Sequence, residues 1–187
     1  MSDGAEAIKD LFESAETDFL LSKTTVTMKS SLENIEVGDF KIDSVKEGET
    51  LEVPRWVAEE LALLNMAEST DEPFETEMYK ALSREKMMGP FQLSSLPVDF
   101  YIRMRRRLAY LSAGVLEGRF KKEDYEKVRG HSYDLVGMRL GKLISIAGTS
   151  TGMREFEDKI TPEEKAFFGI SQTLSRQWKD SILKEGA

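Results

Sequence analysis

The stretch Glu68-Ser69-Thr70-Asp71-Glu72-Pro73 separates two kinds of residue pattern and so decides the fold class. Before it, apolar residues alternate with polar ones over short runs. Val26 and Met28 stand among threonines and Lys29, Phe40 and Ile42 among Asp39, Lys41 and Asp43, and Leu51 and Val53 between Thr50 and Glu52. A period of two is the signature of half-buried strands, and it predicts three or four short ones. Gly38-Asp39 and Glu47-Gly48-Glu49 supply the turns between them. A short helix is predicted from Pro54, where a missing N–H costs nothing, through Trp56, Val57, Ala58, Leu61 and Leu64 to Asn65.

After the acidic stretch the period changes to that of helices. Phe74, Met78, Ala81 and Leu82 form one face, and Gly89-Pro90 ends it. Phe100, Met104, Leu108, Leu111 and Val115 recur at steps of three and four up to Gly118. Between Lys122 and Ala147 a long helix is expected, with Val136, Leu140, Leu143, Ile144 and Ala147 as its apolar stripe. Gly130, Gly137 and Gly141 each weaken that helix by about 1 kcal/mol relative to alanine, which close packing against a neighbouring helix would explain. A loop is expected over Gly148-Thr-Ser-Thr-Gly152. Thr161-Pro162-Glu163-Glu164 reads as a capping box, opening a last helix with the stripe Phe167, Ile170, Leu174, Trp178 and Ile182. The first twenty residues fit a helix through Ile8, Leu11, Phe12, Ala15 and Phe19, and equally a mobile acidic arm. The fold class is thus mainly α with a small β-rich N-terminal domain. The segments are an extension over residues 1–23, a β-rich domain over 24–69 and a helical domain over 70–187.

Composition narrows the function. In 187 residues, 40% hydrophobic and 32% charged, there is material for one or two packed cores. With no cysteine, neither a disulfide framework nor a thiolate metal site can form. Asp3, Glu6, Asp10 and Glu13 are the opposite of a basic signal peptide, and no run is apolar enough to span a bilayer, so a cytoplasmic location is expected. A net charge of -8 repels phosphate backbones on average, so DNA binding is expected to be weak or indirect. The one basic run, Arg103-Met-Arg-Arg-Arg107, reads more readily as a solvated or carboxylate-paired helix face than as a DNA reader. A free-standing nucleic-acid-binding regulator using that helix is the alternative reading.

Catalytic patterns are not found. The one histidine, His131, adjoins Ser132 on a helix, where neighbouring side chains diverge, so it reads as a surface or interhelical residue. The glycines make neither a GxGxxG nor a Walker A pattern. No enzyme, no cofactor and no metal are expected.

The order of the short motifs adds a resemblance. Val37-Gly-Asp-Phe40, Glu47-Gly-Glu-Thr-Leu-Glu-Val53 and Pro54-Arg-Trp-Val-Ala58 lead into Glu59-Glu-Leu-Ala-Leu-Leu-Asn-Met-Ala67. Together they look like the small B domain of GINS subunits. Leu96-Pro-Val-Asp-Phe-Tyr101, Asp134-Leu-Val-Gly-Met-Arg-Leu-Gly-Lys-Leu-Ile144 and Thr161-Pro-Glu-Glu-Lys-Ala-Phe167 resemble the helical A domain. Coverage is roughly residues 24 to 185. The specificity lies in the order of the motifs, because each is short. With the small domain first, the chain is similar to the B-domain-first branch of the archaeal complex, the Psf-two and Psf-three type, except for its N-terminal extension.

The resemblance implies a scaffold without a catalytic site. Its implied partners are a B-domain-last GINS subunit, the MCM helicase and a RecJ-like protein, in a hetero- or homo-tetramer. The candidate interface residues are Phe100, Tyr101, Arg105, Arg106, Phe167, Phe168 and Trp178, with Pro54 and Trp56 in the small-domain core.

Overall fold

The computed structural model describes residues 3–37, 40–149 and 155–183. The chain is mainly helical, with a small antiparallel sheet. It forms two compact units, Ser14–Glu72 and a second made of Met1–Glu13 with Pro73–Ala187. Helix α1 (Asp3–Leu21) contributes to both, so the helical alternative for the first twenty residues is the one observed. The expected turn at Gly38-Asp39 and most of the expected 148–152 loop lie outside the described residues.

In the first unit, β1 (Lys23–Met28) is the central strand, flanked by β4 (Thr50–Pro54) and β5 (Ala67–Ser69), both antiparallel to it. Strands β2 (Ile35–Val37) and β3 (Phe40–Ile42) form a separate hairpin. Thr24, Val26 and Met28 point inward with Val53, and α2 (Arg55–Leu63) closes the core with Val57, Ala58 and Leu61. Gly48, at φ +82°, makes the turn into β4, a conformation a side chain would strain. Asn65 takes the left-handed position that ends α2. Its N–H donates to the Ala62 carbonyl and that of Met66 to Leu61, the pairing of a Schellman motif. Pro54 precedes the first helical residue rather than being it, and Trp56 packs on the rim of the core half-buried.

Strand β5 was not expected. Glu68 and Ser69 are poor strand formers and read as linker, yet they pair with Thr27 and Val26 at the sheet edge. Asp71 then accepts from Arg55 Nη1 at 2.9 Å and from the Thr24 hydroxyl at 3.3 Å. The acidic stretch is therefore partly strand and partly tie, and the units divide at its end, between Glu72 and Pro73.

In the helical unit, α3 (Phe74–Met87), α4 (Phe100–Leu116) and α5 (Lys122–Ala147) share a core of Phe74, Met78, Ala81, Leu82, Phe100, Met104, Leu111, Val128 and Leu135. A second cluster joins Leu93, Leu143, Ile146, Ala147 and Ile160 to Phe168 of α6 (Pro162–Leu183). The capping box is present as read: the Glu164 N–H donates to Thr161 Oγ1 at 3.3 Å and the Thr161 N–H to Glu164 Oε2 at 3.1 Å. Gly118 ends α4 at φ +74°. Beyond it the Phe120 ring folds back on Gly114, where a Cβ would come within 2.1 Å of the ring. Gly114→Ala is therefore expected to lose about 1–3 kcal/mol to overpacking, outweighing the helix propensity gained. Urea unfolding of the purified chain should show the lower midpoint.

Two helices differ from expectation. On α5 the stripe Val136, Leu140 and Ile144 faces outward, 40%, 41% and 50% exposed, while Leu143 and Ala147 are buried. The inward face is Val128, Ser132, Leu135, Arg139, Lys142 and Ile146, turned so that two cations lie inside. On α6, Phe168 takes the buried position, Phe167 and Ile170 are half-buried, and Leu174, Trp178 and Ile182 are uncovered. Gly130, Gly137 and Gly141 meet no neighbouring helix among the described residues; a Cβ added at each would find open space.

Candidate interaction surface

The inversion of α5 has an electrostatic cause. Arg139 is fully buried, and all five of its N–H groups find acceptors. Nε donates to Glu164 Oε1, and Nη1 to Glu85 Oε2 at 2.9 Å and the Ser94 carbonyl at 2.8 Å. Nη2 donates to Glu164 Oε2 at 2.7 Å and the Lys159 carbonyl at 3.2 Å. Lys142 Nζ donates to Glu85 Oε1 at 2.7 Å and to the Glu85 carbonyl at 2.9 Å. Ser94 gives Glu85 both its hydroxyl, at 2.6 Å, and its N–H, at 3.1 Å, and the Tyr101 hydroxyl donates to Glu164 at 2.7 Å. Two cations and two anions thus balance within this network and tie α3, α4, α5 and α6 together. With this many matched donors, burial of the charges is tolerated, whereas loss of one member would strand its partners.

The protonation states follow. Burial works against the Glu85 carboxylate, but Lys142, Ser94 and Arg139 outweigh it and hold its pKa below 4.5. Burial and the Glu164 charge push the Tyr101 hydroxyl well above its ordinary range, so it stays a donor. Burial opposes the Arg139 charge, and Glu164 more than restores it. Because Glu85 is depressed in the folded chain, the stability it confers is present above pH 4.5 and lost as the pH falls through its folded value. Denaturation midpoints at neutral and acid pH should show this loss in the wild type, and a shallower one in Glu85→Gln.

With Arg139 and Lys142 inside, Val136, Leu140 and Ile144 of α5 face out, as do Leu174, Trp178 and Ile182 of α6. A cavity of about 330 Å³ is lined by Phe12, Tyr101, Met104, Val136, Leu140 and Phe167, with Arg105, Glu163 and Glu164 also at its walls. An open groove beside Ile144 is bounded by Leu174 and Trp178. Glu163 is nine-tenths buried at the cavity, and its Oε2 has no hydrogen-bond partner among the described residues. Gly137 and Gly141 line neither depression, and a Cβ added at either would meet open space.

Of the residues singled out from sequence, Tyr101, Arg105 and Phe167 converge on this cavity and Trp178 stands on the adjoining surface, 67% exposed. Phe100 and Phe168 do not belong to the surface: both are core, 0% and 1% exposed, because the true inward faces of α4 and α6 run through them. The basic run is largely engaged inside the unit. Arg103 pairs with Glu77 and Arg107 with Glu75, each at 2.6 Å, Arg105 lies over the Phe12 ring at 4.9 Å, and Arg106 is also partnered. His131 packs edge-on against Tyr79 at 5.0 Å, between α5 and α3. The Ser132 hydroxyl is directed to the Val128 carbonyl at 2.9 Å rather than to the imidazole. Among the described residues, no three His, Asp or Glu side chains are grouped to hold a metal ion, and no helix is long and apolar enough to cross a membrane.

Compared with known proteins, the chain matches no family model and no curated protein.

Sequence reasoning missed Glu85, Arg139, Lys142 and Glu163. The available signal was spacing: Ser132, Arg139 and Lys142 fall in register with Val128, Leu135 and Ile146 at steps of three and four. Charge alone assigns such residues to solvent.

Proposed function

We propose that the chain is a non-catalytic scaffold subunit of a GINS-type replication complex, assembling with a B-domain-last subunit and bridging the MCM helicase to a RecJ-like partner at the fork. The small β-rich unit would be its B domain and the helical unit its A domain. The observation that carries the reading is the polarity of the second half of α5, where Arg139 and Lys142 lie inside while Tyr133, Val136, Leu140 and Ile144 face out. Leaving apolar side chains in water on a long helix forgoes about 1.5–3 kcal/mol for each large one, and a partner helix recovers it. Gly137 and Gly141 would let that helix approach closely. Added to the MCM helicase, the coexpressed complex is expected to raise the unwinding rate; no binding to the helicase and no stimulation would count against the reading.

The nucleic-acid regulator reading is less well supported, because Glu75 and Glu77 already neutralise two of the arginines it needs. At most weak DNA affinity is expected for the isolated chain, even at low salt. Affinity that falls steeply with salt, and is lost when Arg105, Arg106 and Arg107 are all replaced by alanine, would favour the regulator instead.

A further inference from the structure

The unpartnered carboxylate and the uncovered tail of α6 complement each other. Glu163, Phe167, Ile170, Leu174 and Trp178 follow one another at steps of four, three, four and four, so they share one face of the helix. At the start of that face is the apolar cavity, with a carboxylate oxygen that finds no donor among the described residues. At its end is Trp178, a large apolar ring carrying an N–H and nothing else to bond with it, 67% exposed. The two cannot meet within one chain: at the rise of an α-helix, Trp178 lies about 22 Å along α6 from Glu163.

From this complementarity we infer that the occupant of the cavity is Trp178 of a second copy of this chain, with the α6 helices of the two copies packed antiparallel about a two-fold axis near Ile170 and Ser171. That register sets Glu163 against the second copy's Trp178 and Phe167 against its Leu174, and, being two-fold, makes both contacts twice. The indole ring fills apolar space lined by Met104, Val136, Leu140 and Phe167, and its N–H meets the orphan Oε2. Both cavity and tail belong to the helical unit.

The pairing concerns one of the contacts that a complex holding two copies of this chain would need. It thus deepens the scaffold reading, but its test uses the purified chain alone. In sedimentation over a concentration series the chain is expected to dimerise. Trp178→Ala should weaken the dimer about thirtyfold, as for a buried aromatic anchor. Trp178→Phe, which keeps a ring and removes the N–H, should weaken it about tenfold. Glu163→Gln should act in the same direction, and the double variant should be weakened by clearly less than the two effects combined, because both remove one interaction.

The register has its own readout. The chain has no cysteine, so Ser171→Cys introduces a lone thiol beside the axis, and mild oxidation should convert the dimer to a covalent one. Gly130→Cys, on exposed α5, should not crosslink. A chain that stays monomeric at every concentration overturns the pairing, as does a dimer indifferent to Trp178→Ala or one that crosslinks equally through both cysteines. A monomer that still assembles with the other subunit would leave the scaffold reading standing and refute this contact alone.

Discussion

Replacing Arg139 with methionine is expected to remove about 3–5 kcal/mol of stability, which for a domain of total stability about 5–15 kcal/mol is enough to leave a substantial unfolded fraction. The cost arises from what remains. Glu85 and Glu164 would keep their negative charges in the interior, Glu85 with Lys142 alone and Glu164 with no cation, and the Ser94 and Lys159 carbonyls would lose a donor. Methionine fills much of the volume, so the effect reports charge rather than a cavity. Removing the stranded carboxylate as well, in Arg139→Met with Glu164→Gln, should recover part of the loss. Guanidinium unfolding of the three chains measures both effects. A midpoint unchanged in Arg139→Met would mean that the network holds nothing together and that the orientation of α5 has another cause.

Substitutions at Gly137 and Gly141 are expected to act oppositely on the chain and on the complex proposed for it. Both positions are helical and open, so alanine at each should stabilise the isolated chain by about 1 kcal/mol through helix propensity. Leucine at both should still leave the chain folded, yet push a partner helix away by the width of a side chain and weaken assembly with the B-domain-last subunit by more than a hundredfold, about 3 kcal/mol. A glycine kept only by chance would give the stabilisation without the loss of assembly. Thermal melts of the chain and titration of the partner subunit separate the two outcomes.

How much of this was visible in the sequence depended on whether polarity or pairing set the structure. Where one face is apolar and the other is not, the pattern sufficed. The α4 stripe from Phe100 to Leu111, the alternation of β1 and the Thr161–Glu164 capping box are all found where the spacing puts them. Helix α5 misled because its inward face carries Arg139 and Lys142, which are tolerated only with Glu85 and Glu164 opposite. Glu85 is 54 positions before Arg139 and Glu164 is 25 after it, and no local pattern announces such a match. The same blindness hid the surface. Val136, Leu140 and Ile144 read as part of one apolar stripe with Leu143 and Ala147, and such a stripe is as often interface as core. Only the observed rotation of α5 showed them uncovered. Strand β5 was lost for a smaller reason, three residues of low strand propensity paired at an edge. Glu163 could not have been found at all, since an orphaned oxygen is a property of three-dimensional surroundings.

The central claim is that the outward face of α5 and α6 is an assembly surface in a multi-subunit scaffold. The solution mass of the chain, alone and after coexpression with a B-domain-last GINS subunit, tests it most directly. The account predicts a stable hetero-oligomer of about four chains, two of each kind in the arrangement the resemblance implies, dispersed by leucine at Gly137 and Gly141. A chain that elutes apart from that subunit, with its apolar face still in water, would contradict it.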